Sequence, residues 1–312
     1  MHVLVTGGLG YLGHAVTHDL LAAGHRVTVL TRGHPDAGRH AGVGLVEGDI
    51  RDRARIREIV AAGRFDAVCH LAAVSRGRDS FADPLTYYDV NVVGTLNLLM
   101  ALDNIRESVP SARFVFASTD KVYGSQHVGA LGEDLEPHPE SPYAASKVSA
   151  EQLVAAYAAT GAIGAVTLRC FNIAGAANGR TDTDTARIIP NVFRALTGEL
   201  PYITLNGDGS AVRDFVHILD VATAVRLSLA AVKAGEHRVY NIGSGTASSM
   251  AQVVAAAEAV TGLPVPVRKV PPKREPQTLT ADNSRAVKEL GWLPERSGLT
   301  ELIADAWSTW HA

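Results

Sequence analysis

Tyr143 and Lys147 stand four residues apart in Ser141-Pro-Tyr-Ala-Ala-Ser-Lys147, and Thr119 lies upstream, after the apolar run Ala112-Arg-Phe-Val-Phe-Ala117. Residues four apart on a helix share a face. The Lys147 ammonium is thus expected beside the Tyr143 phenol, where it lowers the phenol pKa from about 10 toward neutrality. A tyrosinate held beside an alcohol is a general base, and the protonated phenol is a general acid. Thr119 can orient the reacting oxygen. The chemistry is that of a redox site, which needs a hydride carrier as well as a proton carrier.

A place for such a carrier opens the chain. Gly7-x-x-Gly10-x-x-Gly13 follows the buried strand His2–Thr6 and starts a helix at Tyr11 and Leu12. Glycines let the backbone turn tightly against a pyrophosphate, whose charge then meets the helix N-terminus. At the end of the second strand a carboxylate would bond the adenine ribose of NAD. Leu30-Thr31-Arg32-Gly33 stands there instead. With Thr31 and Arg32 in place, nothing repels a 2′-phosphate and a guanidinium can bind it, which favours NADP over NAD. Asp49 and Ile50 are placed to meet the adenine. Leu71, Ala72 and Ala73 supply small side chains near the diphosphate.

The elements that must hold these residues alternate. Strands are predicted at His2–Thr6, Arg26–Leu30, Gly44–Glu47, Asp66–Leu71, Arg113–Ala117 and Ala165–Arg169. Helices are predicted over 53–62, 84–107 and 142–160. Alternation of this kind implies parallel pairing with right-handed crossovers, a doubly wound α/β sheet of the Rossmann type. After Arg169 the pattern changes. Residues 172–184 read as a loop, 186–197, 217–232, 250–261 and 299–310 as helices, and 264–276, with five prolines, as an extended segment. The expected division is a dinucleotide-binding domain over 1–170, with segments near 215–245 returning to it, and a smaller, mainly substrate-binding cap over 171–312.

Composition narrows the class. A chain of 312 residues with net charge −3 gives no reason to expect nucleic acid or an anionic membrane as partner. No run reaches the roughly 18 apolar residues of a membrane span. The N-terminus has no signal-peptide layout, and Cys69 and Cys170 sit in apolar runs as expected of buried free thiols, so the cytoplasm is the expected location. His14 and His18 have a metal-ligand spacing without a third ligand, and His34, Asp36 and His40 show no ligand order, so no metal is expected.

With these motifs together, the chain resembles the extended short-chain dehydrogenase/reductases, and within them the nucleotide-sugar epimerases and dehydratases. The resemblance runs through Thr6–Gly13, His70-Leu-Ala-Ala73, Asn91-Val-Val-Gly-Thr95, Ser118-Thr119, Val122-Tyr-Gly124, Tyr143 with Lys147, Arg213-Asp-Phe-Val-His217 and Tyr240-Asn-Ile-Gly243. Arg169-Cys-Phe-Asn-Ile-Ala-Gly175 looks most like the UDP-hexose 4-epimerases. The resemblance implies a tightly bound nicotinamide dinucleotide, with Asn91 and Ser118 among its neighbours. It implies a nucleotide-diphosphate sugar as substrate, with Asn172 and Arg213 on the diphosphate and Ser75, Arg76, Arg187, Ile188 and Arg274 lining the rest. It also implies a homodimer through the helices over 84–107 and 142–160.

Four functions compete. The first is a nucleotide-sugar 4-epimerase, in which Tyr143 takes the 4-hydroxyl proton, Thr119 bonds O4 and Lys147 binds the nicotinamide ribose. Asp120 and Lys121 differ from the small or neutral residues usual in epimerases and resemble the 4,6-dehydratases, where an acid helps to eliminate water. Thr31-Arg32 motivates an NADPH-dependent 4-ketoreductase. A silent dinucleotide sensor is the reading from outside enzymology, and retention of Thr119, Tyr143 and Lys147 stands against it.

Overall fold

The computed structural model describes residues 1–33, 42–272 and 278–311. His34, Asp36, His40, Lys273 and Arg274 lie outside the described residues. The chain divides into two compact units: one of Met1–Val122, Pro137–Arg169 and Ala222–Tyr240, the other of Tyr123–Glu136, Cys170–Val221 and Asn241–Ala312.

The first unit is built on a seven-stranded sheet. Its strands are β1 (His2–Thr6), β2 (Arg26–Thr31), β3 (Gly44–Glu47), β4 (Ala67–His70), β5 (Arg113–Thr119), β7 (Gly164–Cys170) and β13 (His237–Ile242), in the order β13-β7-β5-β4-β1-β2-β3. The pairs β1–β2, β2–β3, β1–β4 and β4–β5 are parallel. β1, β4 and β7 are buried almost end to end, as a sheet covered on both faces requires. The helices α1 (Tyr11–Ala22), α2 (Arg53–Gly63), α3 (Pro84–Tyr88), α4 (Gly94–Asp103) and α5 (Pro142–Ala159) belong to this unit. Strand order reverses between β1 and β4. Ligands of such sheets bind outside the carboxyl ends of the strands at that reversal.

The single helix predicted over 84–107 is three pieces. A π turn over Asp89–Val93 separates α3 from α4, and α4 ends at Asp103. The periodicity hid this because the π turn keeps helical dihedrals while shifting the face by one residue. Two side-chain demands meet there. Asn91 turns inward to bond the loop after β4, and a Cβ on Gly94 would lie 2.6 Å from Ile50 Cδ1.

The second unit is made of short strands: β6 (Ala130–Leu131), β8 (Asn172–Ala174), β9 (Ala176–Ala177), β10 (Arg180–Thr181), β11 (Ile203–Asn206), β12 (Val212–His217), β14 (Ala247–Ser249), β15 (Val267–Val270) and β16 (Thr278–Ala281). β12 is its hub, pairing in parallel with β8 and β16 and antiparallel with β14. Helices α6 (Ile188–Leu196), α8 (Met250–Thr261) and α10 (Leu299–Trp310) pack a separate apolar cluster around Val192, Phe193, Val253, Leu302 and Ile303, and the short α9 (Ser284–Leu290) precedes α10 in the chain. The loop expected over 172–184 holds β8, β9 and β10. β12 escaped notice because Val212-Arg-Asp-Phe-Val-His217 has no two-residue alternation, and α7 (Ile218–Ala231) begins only after it.

Candidate active site

The glycine turn sits at the carboxyl end of β1, beside the reversal of strand order. Gly7 has φ +73°, and a Cβ there would lie 2.8 Å from Ala72 N. A Cβ on Gly13 would lie 2.0 Å from Gly7 O. Only glycine permits this close stack of turn, β4 exit and helix. α1 opens at Gly10 with no side-chain cap and no acidic residue in its first turn, which holds Tyr11 and Leu12. A helix N-terminus left in that form suits an anion, so the residues present fit a dinucleotide pyrophosphate.

Further along the sheet edge, Thr31 closes its own turn, its hydroxyl donating to Gly33 O at 3.1 Å, and Arg32 follows on the surface. Asp49 accepts Arg51 Nε at 3.1 Å and Nη2 at 2.8 Å, and this guanidinium holds its carboxyl below the usual range. The Ile50 side chain is buried in the core, and its carbonyl accepts Asn97 Nδ2 at 2.9 Å. Leu71 N bonds Thr6 O at 3.2 Å, and Ala72 N bonds Thr6 Oγ1 at 3.2 Å.

A buried polar chain runs from this turn toward α5. His70 is bonded at Nδ1 to Thr6 Oγ1 (2.7 Å) and at Nε2 to Thr95 Oγ1 (3.0 Å), and Thr95 donates to Asn91 O at 2.6 Å. Because the Thr95 proton is used on Asn91, Thr95 must accept from His70 Nε2–H, and His70 Nδ1 accepts from Thr6. His70 is therefore neutral. Burial, with the Lys147 charge adding to it, pushes its pKa down to about 3. Asn91 grips both backbone groups of Val74, at 3.0 and 3.1 Å, and donates to Ser146 Oγ at 2.9 Å. Ser146 donates to Tyr143 O at 2.7 Å. Sequence reasoning missed His70, Thr95 and Ser146 as participants. The signal was a histidine and a threonine, His70 and Thr6, at matching ends of two apolar strands.

Tyr143 is the second residue of α5, whose N-cap Ser141 accepts Ala144 N at 3.2 Å. Tyr143, Lys147 and Thr119 are all buried. Lys147 Nζ lies 4.1 Å from the centroid of Phe116, three residues before Thr119 on β5, so α5 and the end of β5 are locked together. The loop after β4 passes the phenol. A Cβ on Gly77 would lie 3.7 Å from Tyr143 Cδ1, and Tyr87, T-shaped to Tyr143 at 6.2 Å, donates to Arg76 O at 2.6 Å. Ser75 and Arg76 are thus beside Tyr143 in the chain's path, with Arg76 Nη1 3.9 Å from Asp79.

Thr119 donates to Asp120 Oδ1 at 3.2 Å and accepts Lys121 N at 3.3 Å, while Lys121 Nζ lies 2.8 Å from Asp120 Oδ2. Both carboxylate oxygens of Asp120 are engaged.

The other expected substrate residues belong to the second unit. Asn172 Nδ2 donates to Asp214 O at 3.0 Å, and the pairing of β8 with β12 sets Asn172 opposite Phe215, two residues from Arg213. Arg213 Nη1 donates to Val212 O at 2.8 Å. Arg187 stands at the N-cap position of α6, before Ile188, without a side-chain cap bond, and is tied to Asp182 at 3.1 Å and to Ile173 O at 3.2 Å. Among the described residues no cluster of His, Cys, Asp and Glu is suited to a metal, and no helix is long and apolar enough to cross a membrane.

Residues 3–243 match the family described as NAD dependent epimerase/dehydratase. The chain belongs to that family. It is 38% identical to the UDP-glucose 4-epimerase of Corynebacterium glutamicum over 99% of this chain and 95% of the relative. It is 36% identical to the UDP-glucose 4-epimerase of Streptomyces lividans, with the same coverage. Among solved structures it is similar to the UDP-glucose 4-epimerase of Stenotrophomonas maltophila with bound NAD and formylated UDP-arabinopyranose. There the TM-score is 0.90 and the identity 32%, covering 100% of this chain and 98% of that one. The Brucella ovis UDP-glucose 4-epimerase in complex with NAD has a TM-score of 0.89 at 31% identity, covering 98% and 97%.

Proposed function

We propose that this protein is a nucleotide-sugar 4-epimerase that inverts C4 of a UDP-hexose through a transient 4-ketone. The observation that carries the reading is the packing of the Tyr143–Lys147 face of α5 onto the end of β5, where Thr119 stands, on the same sheet edge as the glycine turn. A nicotinamide dinucleotide bound along Gly7–Gly13 supplies the hydride acceptor and donor at C4. Tyr143 removes the 4-hydroxyl proton as the ketone forms and returns it on reduction, so protons and electrons balance over the cycle. The Thr119 hydroxyl donates to Asp120 in the resting site; turned to the substrate it is the donor to O4, so the single 4-hydroxyl proton stays with Tyr143. Lys147, buried and cationic, favours the tyrosinate and is placed for the nicotinamide ribose. Asn172 and Arg213 are the proposed diphosphate donors, with Arg187 and Ile188 further along the nucleotide and Ser75 and Arg76 near the sugar.

We infer NAD as the resident cofactor. The relatives' structures carry NAD. Arg32, the residue expected to favour a 2′-phosphate, has the Asp49 carboxylate within its electrostatic reach, and that carboxylate would repel the phosphate. A homodimer through α4 and α5 is also proposed. Leu96 on α4 and Val93, just before it in the π turn, expose apolar surface, and Met100, Leu153 and Tyr157 border a groove of about 490 Å³. Light scattering on the pure protein checks the dimer.

The deciding experiment releases and weighs the bound dinucleotide from one portion of the protein, incubates another, still loaded, with UDP-glucose and UDP-galactose, and resolves the products. Inversion at C4 without net use of added cofactor supports the epimerase. A 4-keto-6-deoxy product, or stoichiometric consumption of NADPH, overturns it.

A further inference from the structure

Beneath the reacting residues lies a charged group that the mechanism above does not use. Tyr143, Lys147 and Glu151 recur every four residues, so they share one face of α5. Glu151 is 6% exposed and Arg169, on β7, 5%. Arg169 Nη2 lies 2.8 Å from Glu151 Oε2, and its Nε lies 3.2 Å from both carboxylate oxygens. The same carboxylate accepts the hydroxyl of Ser118, the residue preceding Thr119 on β5. One side chain therefore joins three elements: the helix carrying Tyr143 and Lys147, the strand ending in Thr119, and the strand between β5 and β13.

Two charges taken out of water cost more than a surface pair returns, so such a pair is a poor way to gain stability alone. What it supplies is direction. A carboxylate has two oxygens in a fixed plane, and a guanidinium fork matches them in one orientation. With Arg169 fixing that plane, the Ser118 hydroxyl has one favourable position along α5. The Lys147–Phe116 contact is apolar on one side and tolerates sliding, as a cation over a ring does. The Ser118–Glu151 bond does not.

We propose that Glu151, oriented by Arg169, is a positioning residue that sets the register of α5 against the end of β5 through Ser118, and so fixes Thr119 relative to the Tyr143 phenol. Tyr143 and Lys147 ride on one helix, so their mutual geometry survives loss of this bond. The distance from the phenol to the oxygen held by Thr119 does not. Hydride and proton leave the same C–O–H unit, and a misplaced alcohol slows that step while the remote nucleotide contacts are kept.

The inference rests on the 4-epimerase reading, and the test separates the two. Wild type, Ser118→Ala, Ser118→Thr, Glu151→Gln and Arg169→Lys are compared as purified, dinucleotide-loaded proteins, using UDP-hexose with protium or deuterium at C4. Ser118→Ala is expected to lower kcat by about tenfold, with KM and bound dinucleotide within twofold of wild type and a larger isotope effect at C4. Ser118→Thr, which keeps the hydroxyl, is expected to recover most of the rate. Glu151→Gln and Arg169→Lys are expected to show the same signature more strongly wherever they fold, and Ser118→Ala decides the matter if they do not. An unchanged kcat and isotope effect in Ser118→Ala would overturn the proposal, as would a fall in rate with an unchanged isotope effect, which marks a smaller active fraction. If the wild type inverts no nucleotide hexose, the epimerase reading itself fails.

Discussion

The two units place their proposed functional residues by different means. In the first, Thr119, Tyr143 and Lys147 stand at the end of one strand and on one face of one helix, and the glycine turn follows directly on β1. Periodicity and strand-end position decide the geometry. In the second, Asn172 and Arg213 are 41 positions apart in sequence and meet only because a three-residue strand pairs with β12. Asp214 shows the cost of that design. Its buried carboxylate accepts four bonds, from Ser244 N, Ser244 Oγ, Gly245 N and Ala281 N, to hold strand ends too short to hold themselves. Regular elements carry reacting atoms precisely, whereas stitched loops hold a ligand by many weaker donors. The first unit is expected to govern kcat and the second KM.

That division can be broken in order of effect. Tyr143→Phe, which removes the proposed proton carrier and leaves the ring, is expected to lower kcat by roughly 10²–10⁴-fold with KM little changed. Steady-state rates over a range of UDP-hexose concentrations check it, and a loss confined to KM would dissolve the contrast. Arg213→Ala is expected to do the reverse. Loss of a charged hydrogen bond of about 1.5–3 kcal/mol raises KM by roughly ten- to a hundredfold while kcat stays near wild type.

A third test addresses stability in the first unit alone. His70 titrates at about 3 in the fold against 6.5 in its ordinary state, so below pH 6.5 the unfolded chain binds a proton that the folded chain refuses. The His70 contribution is complete above that pH and is lost as pH falls toward 3, by up to about 1.4 kcal/mol per unit. His70→Gln is expected to flatten the acid limb of a thermal-stability profile. The smallest effect is expected from Asp120→Asn. The partner Lys121 is 43% exposed, so solvent screens its side of the pair although Asp120 itself is buried. A fall in kcat of about threefold, without any 4-keto-6-deoxy sugar in the product, is the outcome that keeps Asp120 out of the chemistry.

The same contrast explains what could be read from the sequence. The doubly wound sheet, the glycine turn and the α5 motif were legible because each is a local pattern with a period or a fixed offset. Glu151 was legible in principle, being a charge on the same helical face as Lys147, but its partners Ser118 and Arg169 come from other strands. The second unit was largely illegible. β8, β9 and β10 are two or three residues long, too short for any alternation to register, and Asp214 reveals its role only when β14 and β16 flank it.

The π turn at Asp89–Val93 has a consequence for how this chain can be altered. A π turn is an α-helix with one residue more than its hydrogen bonds need. Removing Asp89 or Val90 would let α3 and α4 fuse into a regular helix, a locally favourable change. The cost would fall elsewhere. Each residue of an α-helix advances the face by about 100°, so the deletion would swing Asn91 off Val74 and Ser146 and cut the polar chain between the glycine turn and α5. At this position a shorter and more regular chain would be the defective one.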